Sequence, residues 1–276
     1  MRIFILLFLS CIFVSDILSQ EASTISPGEN DHPVNYKDEQ GLRQGHWERE
    51  YSNGQTMYTA FFVDDKPVGE MVRYYPSGRK MAVIEYDEKG EYGDAKLFNR
   101  YGQKVAEGTF KGEKKTGKWK LYSDRGRLVA EEHYKNNQRN GISVVYYSNG
   151  NKASVKEWKD GVQDGKEKVY FRDGNKRLEA TFRDGELHGS YTVYYKNGRR
   201  EVYGMYNRGR QHGPWFFFDS LGNQSSRLNY ENGVAEEADQ LDAREQERFR
   251  EFEENRGRLN DPEDFHDNPD RYFLGM

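Results

Sequence analysis

Apolar and polar residues alternate along this chain in short runs, and glycine cuts the runs at regular intervals. Leu128-Val-Ala-Glu-Glu-His-Tyr134 and Lys176-Arg-Leu-Glu-Ala-Thr-Phe182 show the period of two that a half-buried strand requires. The glycines form two series. Gly45, Gly69, Gly93, Gly117, Gly141, Gly165, Gly189 and Gly213 lie 24 residues apart, and each is followed nine residues later by a second glycine, from Gly54 to Gly222. Eight tandem units follow from that spacing. The first turn of a unit reads Asn53-Gly54, Asn149-Gly150, Asp173-Gly174 or Asn197-Gly198, pairs that tolerate the positive φ of a tight hairpin. The second turn carries Gly161, Gly185 or Gly209, or else Asp65 or Asn137, which also tolerate left-handed backbone. These signals predict an all-β, elongated antiparallel β-hairpin repeat array over residues 41–233.

Aromatic residues keep the same period. A first column stands five residues after the opening glycine (Tyr74, Phe98, Tyr122, Tyr146, Tyr170, Tyr194, Phe218), and a second stands seven residues before the next one (Phe62, Tyr86, Phe110, Tyr134, Trp158, Phe182, Tyr206, Tyr230). Both are expected to stack along the array as core. The small residues Ala82, Ala106, Ala130 and Ser154 share a strand face with the second column. With 35% hydrophobic and 32% charged residues the composition alone would suggest disorder, and the 14% aromatics at fixed positions argue for order.

The run Gly117-Lys-Trp-Lys-Leu-Tyr-Ser-Asp-Arg-Gly126, echoed by Gly213-Pro-Trp-Phe-Phe-Phe218, and the run Glu179-Ala-Thr-Phe-Arg-Asp-Gly185 resemble the MORN-repeat variant. That is the repeat of proteins often labelled YwqK-like antitoxins. The resemblance implies a twisted hairpin array used for scaffolding, protein association or contact with membrane lipids, and it supplies no catalytic residues. An antitoxin-like partner-binding role is the remotest of these expectations.

The flanks differ from the array. Arg2 precedes the apolar run Ile3–Val14, too short to span a bilayer, and Ser19 follows, so residues 1–19 are expected to be a secretory signal peptide. Residues 20–40 read as a linker. Cys11 is the sole cysteine, and its loss with the signal would remove disulfide, thiolate and cysteine–metal chemistry from the mature chain. The location expected is periplasmic, outer-membrane associated or extracellular. Residues 41–233 hold 34 Lys+Arg against 26 Asp+Glu, a net of +8, whereas residues 234–276 hold 6 against 14, a net of −8. Within that acidic tail, residues 235–256 read as a helix with Ala238, Leu241, Phe249 and Phe252 on one side, expected to cap the last hairpin.

Candidate chemistry is sparse. His46, His188 and His212 adjoin opening glycines, but His188 and His212 are one repeat apart, about 10 Å at 4.8 Å per strand, too far to share an ion. No metal or other cofactor is expected, nor a catalytic cluster. A basic ladder of Lys80, Lys104, Lys152, Lys176 and Arg200 stands one rung per hairpin, suited to an anionic membrane surface, a glycan or an acidic peptide. Tyr147, Phe171 and Tyr195 form a third aromatic run present in only some repeats, a candidate contact surface. A protein partner fits these features best, an anionic lipid or glycan surface second. Nucleic acid is not expected, because acids such as Glu107, Glu131 and Glu179 interrupt the ladder.

Overall fold

The computed structural model describes residues 33–236 and Arg250. The signal segment and nearly all of the acidic tail lie outside the described residues. Strand β1 (Tyr36–Lys37) leads into eight hairpins. They are β2 (Arg43–Glu50) with β3 (Thr56–Val63), β4 (Lys66–Tyr74) with β5 (Lys80–Tyr86), β6 (Tyr92–Phe98) with β7 (Lys104–Lys111), and β8 (Lys114–Tyr122) with β9 (Leu128–Lys135). There follow β10 (Gln138–Arg139) and β11 (Gly141–Tyr146) with β12 (Lys152–Lys159), β13 (Val162–Tyr170) with β14 (Lys176–Arg183), β15 (Glu186–Tyr194) with β16 (Arg200–Asn207), and β17 (Arg210–Phe218) with β18 (Gln224–Glu231). Strand β19 (Val234–Ala235) ends the run, and all 19 belong to one long open antiparallel sheet. Of the expected helix 235–256 only Ala235, Glu236 and Arg250 are described, and Ala235 closes a strand rather than opening a helix.

The two turns of each repeat divide the work differently from the simple expectation. In the first turn only the glycine is left-handed, with φ between +72° and +92°, while the Asn or Asp before it is not. Tyr75 N–H donates to Arg79 O and Gly78 N–H to Tyr75 O, both at 2.8 Å, and the same pair of bonds recurs in all eight repeats. That is a three-residue hairpin with a glycine bulge. The two-residue turns of I′ type are at the second position, where both central residues have positive φ in Asp64-Asp65, Asn136-Asn137, Asp160-Gly161, Asp184-Gly185, Arg208-Gly209 and Asn232-Gly233.

The opening glycines, with one exception, combine a left-handed backbone with a fixed cross-strand partner. In every hairpin the glycine stands directly opposite the second-column aromatic, from Gly45↔Phe62 to Gly213↔Tyr230. Seven of the eight have φ between +64° and +116°. At the six of these that follow a hairpin the strand carries two extra residues relative to it, as between the pairs Phe61↔Val68 and Thr59↔Val72. The exception is Gly93, whose φ is not positive, and there β5 and β6 pair without a shift, Tyr86 lying opposite Gly93. The two residues that form a bulge elsewhere lengthen the turn at Asp87–Glu91 instead.

Most core side chains occupy one face of the sheet, with the second column and the small residues beside it, while Phe61 and Val72 are buried on the other. The column rings touch through the residue two positions after the opening glycine: Phe110 packs edge-on to Trp119 at 4.9 Å, and Trp215 lies between Tyr206 at 5.1 Å and Tyr230 at 5.7 Å. Trp119 and Trp215 are fully buried. Each indole sits on a glycine of the neighbouring strand, Gly108 or Gly204, where an added methyl group would run into the ring. Each ring N–H donates to a backbone carbonyl, Thr109 at 3.1 Å and Met205 at 3.2 Å. Two apolar clusters result, one from Ala82 to Tyr134 and one from Ala180 to Tyr230. Between them the same layer is polar: Glu132 accepts from Arg139 and Tyr134, Ser143 from Trp158, and Lys156 pairs with Glu167 at 3.3 Å.

Candidate binding surface

Strand alternation puts the first aromatic column on the face opposite the core, since Trp119 and Leu121 point inward and Tyr122 comes next. These rings are half-buried, and Tyr122, Tyr146 and Tyr194 are held by charged side chains. Tyr122 Oη donates to Glu107 at 2.6 Å, and Tyr146 Oη donates to Glu131 at 3.0 Å. Lys104 Nζ lies 2.7 Å from Glu107 and 4.3 Å above the Tyr122 ring, while Lys120 reaches the other carboxylate oxygen at 3.3 Å. Hydrogen bonds from Lys104, then Tyr122, pull the Glu107 carboxyl down to about 2. Glu131 is lowered first by its bond from Lys118, and Glu179 by its bond from Lys176. Burial and the Glu107 hydrogen bond raise Tyr122.

This pairing breaks the basic ladder into unlike rungs. Lys104 and Lys176 are each neutralised by the acid three residues on, Glu107 at 2.7 Å and Glu179 at 3.0 Å. Lys80 and Lys152 are exposed, and Val83 and Val155 take the acid's place in their repeats. Arg200 is exposed and lies 5.3 Å over the Tyr203 ring.

The third aromatic run has a structural task. Tyr147 Oη donates to Tyr170 O and Tyr195 Oη to Phe218 O, both at 2.7 Å, and Tyr51 and Tyr75 make the same bond to the next repeat. Phe171 lacks the hydroxyl and instead has the Arg177 guanidinium 5.8 Å from its ring. Turn asparagines stitch in parallel: Asn53, Asn149 and Asn197 donate to Pro76 O, Arg172 O and Ser220 O of the following turn. The histidines do not gather. His46 packs edge-on against Phe61 at 5.1 Å, and His133 Nδ1 lies 2.7 Å from Ile142 O.

One region of this face departs from the ion-paired pattern. In repeats seven and eight the positions that hold Glu107, Glu131 and Glu179 are taken by Tyr203 and Arg227, and the position of Lys96, Lys120 and Lys168 is taken by Phe216. Tyr203 and Phe216 are cross-strand partners with stacked rings 6.3 Å apart, and Arg227 stands opposite Phe216 with its guanidinium 5.8 Å from the ring. Met205, 48% exposed, extends the apolar area, and half-buried Glu201 adjoins Arg200 in sequence. An aromatic pair is thus flanked by two exposed arginines. None of the repeating columns points to these residues; the sequence signal is the local loss of the Lys/Glu alternation.

The MORN repeat variant model matches residues 115–136 and 163–184, the same stretch of the unit two repeats apart. No curated protein matches the chain significantly. Among solved structures, the crystal structure of TcdB2-TccC3-Cdc42 is similar at 10% identity over 72% of this chain, which spans 13% of that one. The TM-score is 0.19, and the likeness carries no argument.

Proposed function

This chain is a MORN-repeat protein, and from that premise we propose that it is a non-enzymatic, exported scaffold that binds a protein partner in the cell envelope. The observation that carries the reading is the patch of Tyr203 and Phe216 between Arg200 and Arg227. Aromatic and arginine side chains supply most of the binding energy in typical interfaces, and acids flanking an apolar residue are the complement of this set. Export is supported by the charged and apolar start of the chain, Arg2 and Ile3–Val14. A second reading, an anionic lipid or glycan module, is favoured by the exposed rungs Lys80, Lys152 and Arg200.

Full-length protein and its Phe216→Ser variant, compared as baits in envelope fractions, test the first reading. A partner captured by the wild type and lost with Phe216→Ser is the expected result. The second reading is tested with vesicles of pure phosphatidylglycerol against pure phosphatidylcholine. Binding confined to the anionic vesicles, weakened by Lys80→Ala and Lys152→Ala but unaffected by Phe216→Ser, would replace the first reading with the second.

A further inference from the structure

We propose that the patch on repeats seven and eight is the docking site of the chain's own acidic C-terminal segment, with Phe265 as its anchor. The proposal rests on reading the patch as a binding surface, and it names a ligand for that surface. The first support is where the described chain ends. Glu236 N–H donates to Asn229 O at 2.9 Å, and Asn229 Nδ2 donates to the Glu236 carboxylate at 2.6 Å. Asn229 is two residues from Arg227 on β18, so both project from the same face. The chain therefore leaves the sheet at the border of the patch.

Charge is the second support. Residues 237–276 carry 13 Asp and Glu against 6 Arg, whereas the array carries its excess of Lys and Arg. Within that segment Asp261-Pro-Glu-Asp-Phe-His-Asp267 sets one aromatic ring among four carboxylates. The patch offers the complementary order, an aromatic pair between two arginines. Arginine forks bind carboxylates in bidentate fashion, and a third ring extends an existing aromatic pair.

Reach is sufficient. The 24 residues between Glu236 and Asp261 have a contour of up to about 80 Å, and the far strand of the patch, β16, lies about 10 Å from β18. A tether of that length gives an effective concentration in the millimolar range, so weak contacts suffice to keep the site filled. A partner of similar chemistry would then have to displace the segment, which makes the patch self-screened.

Hydrogen exchange on the full-length protein tests this, with Arg227→Glu and Phe265→Ser made in the full chain. At low salt the amides of Asp261 and Phe265–Asp267 should exchange at least tenfold slower than unfolded peptide. Either substitution should abolish that protection while β14 keeps its own. Combining Arg227→Glu with Glu263→Arg and Asp264→Arg should restore it. Exchange at the unfolded rate in the wild type, or protection indifferent to Arg227→Glu, overturns the proposal. Protection that grows with protein concentration overturns it too, because the segment would then dock on a second copy. A segment without protection in a protein whose partner capture still depends on Phe216 refutes the self-ligand and leaves the patch reading intact; capture indifferent to Phe216 refutes the patch reading itself.

Discussion

The two apolar clusters and the polar seam between them are built from the same repeat, with the same first turn and the same glycine–aromatic pairs. They differ at one layer. Around Trp119 and around Trp215, 96 residues apart, an indole fills the space left by a strand glycine. In the seam that layer holds Glu132, Ser143, Lys156 and Glu167, held by hydrogen bonds and two ion pairs, Arg139–Glu132 and Lys156–Glu167. Strand pairing runs through both, although in the seam the strand opposite β9 is split at Asn140 into β10 and β11. Backbone continuity therefore comes from turn chemistry and the glycine bulge, whereas apolar stabilisation is local and each repeat shares it only with its neighbours. The array is continuous as a sheet and divided as a core.

The largest effect should come from the indoles. Trp119→Ala or Trp215→Ala is expected to destabilise by about 3–5 kcal/mol through lost burial and an unfilled cavity. Trp158→Ala, next to the seam and half-buried, should cost clearly less. Chemical denaturation of the three variants decides the matter, and an equal cost for Trp158 would remove the distinction between cluster and seam. Gly204→Ala should follow, at about 1–3 kcal/mol, because the new methyl group overlaps Trp215.

Replacing the seam pair with apolar residues should act in the other direction. The double change Lys156→Met with Glu167→Leu is expected to gain about 1 kcal/mol, while Glu167→Leu alone should lose stability by stranding Lys156. Thermal melts of single and double variants read this directly, and a double variant no better than the single would show that the seam is not a weak layer. On the opposite face, Glu107→Gln should cost roughly 1 kcal/mol at pH 7. Glu107 is depressed from 4.5 to about 2 in the folded state. Its contribution is therefore complete above about pH 4.5 and lost as pH falls towards 2, so the gap between wild type and variant should close over that range. The smallest effect belongs to Arg208, which adopts φ +49° in an I′ turn where other repeats use Asp or Asn. Arg208→Asn should stabilise by about 0.5 kcal/mol, measured as a higher denaturant midpoint.

Much of this architecture is legible in the sequence because turn glycines and alternating strands obey local rules. The number of hairpins, the left-handed glycine of the first turn and the inward-facing second column all follow from spacing. The role of the first column does not, because a tyrosine next to Leu121 in sequence reads as core until strand parity turns it towards Glu107. The third aromatic run reads as a surface, yet Tyr147 and Tyr195 spend their hydroxyls on the next repeat's backbone. Gly108 and Gly204 stand outside both periodic series, and a glycine within a strand is a visible sign of close approach. What it cannot reveal is which ring approaches. The patch around Phe216 is hidden for a different reason: it is a departure from the repeat, and periodic reading averages departures away.

The hydroxyl and amide stitches all point the same way along the chain. Tyr51, Tyr75, Tyr147 and Tyr195 give their protons to a carbonyl 23 residues later, never to one 23 residues earlier. The array is thus a vector, with a donor end and an acceptor end that are not interchangeable. At repeat eight the donor is replaced by Asp219, whose carboxylate turns back to accept from Leu221 and Asn223 within its own loop. Asp219 breaks the series as Asn99 does in repeat three, where the side-chain oxygen likewise accepts from Tyr101 and Gln103 of its own loop; a ninth unit joined after repeat eight would receive no tyrosine stitch.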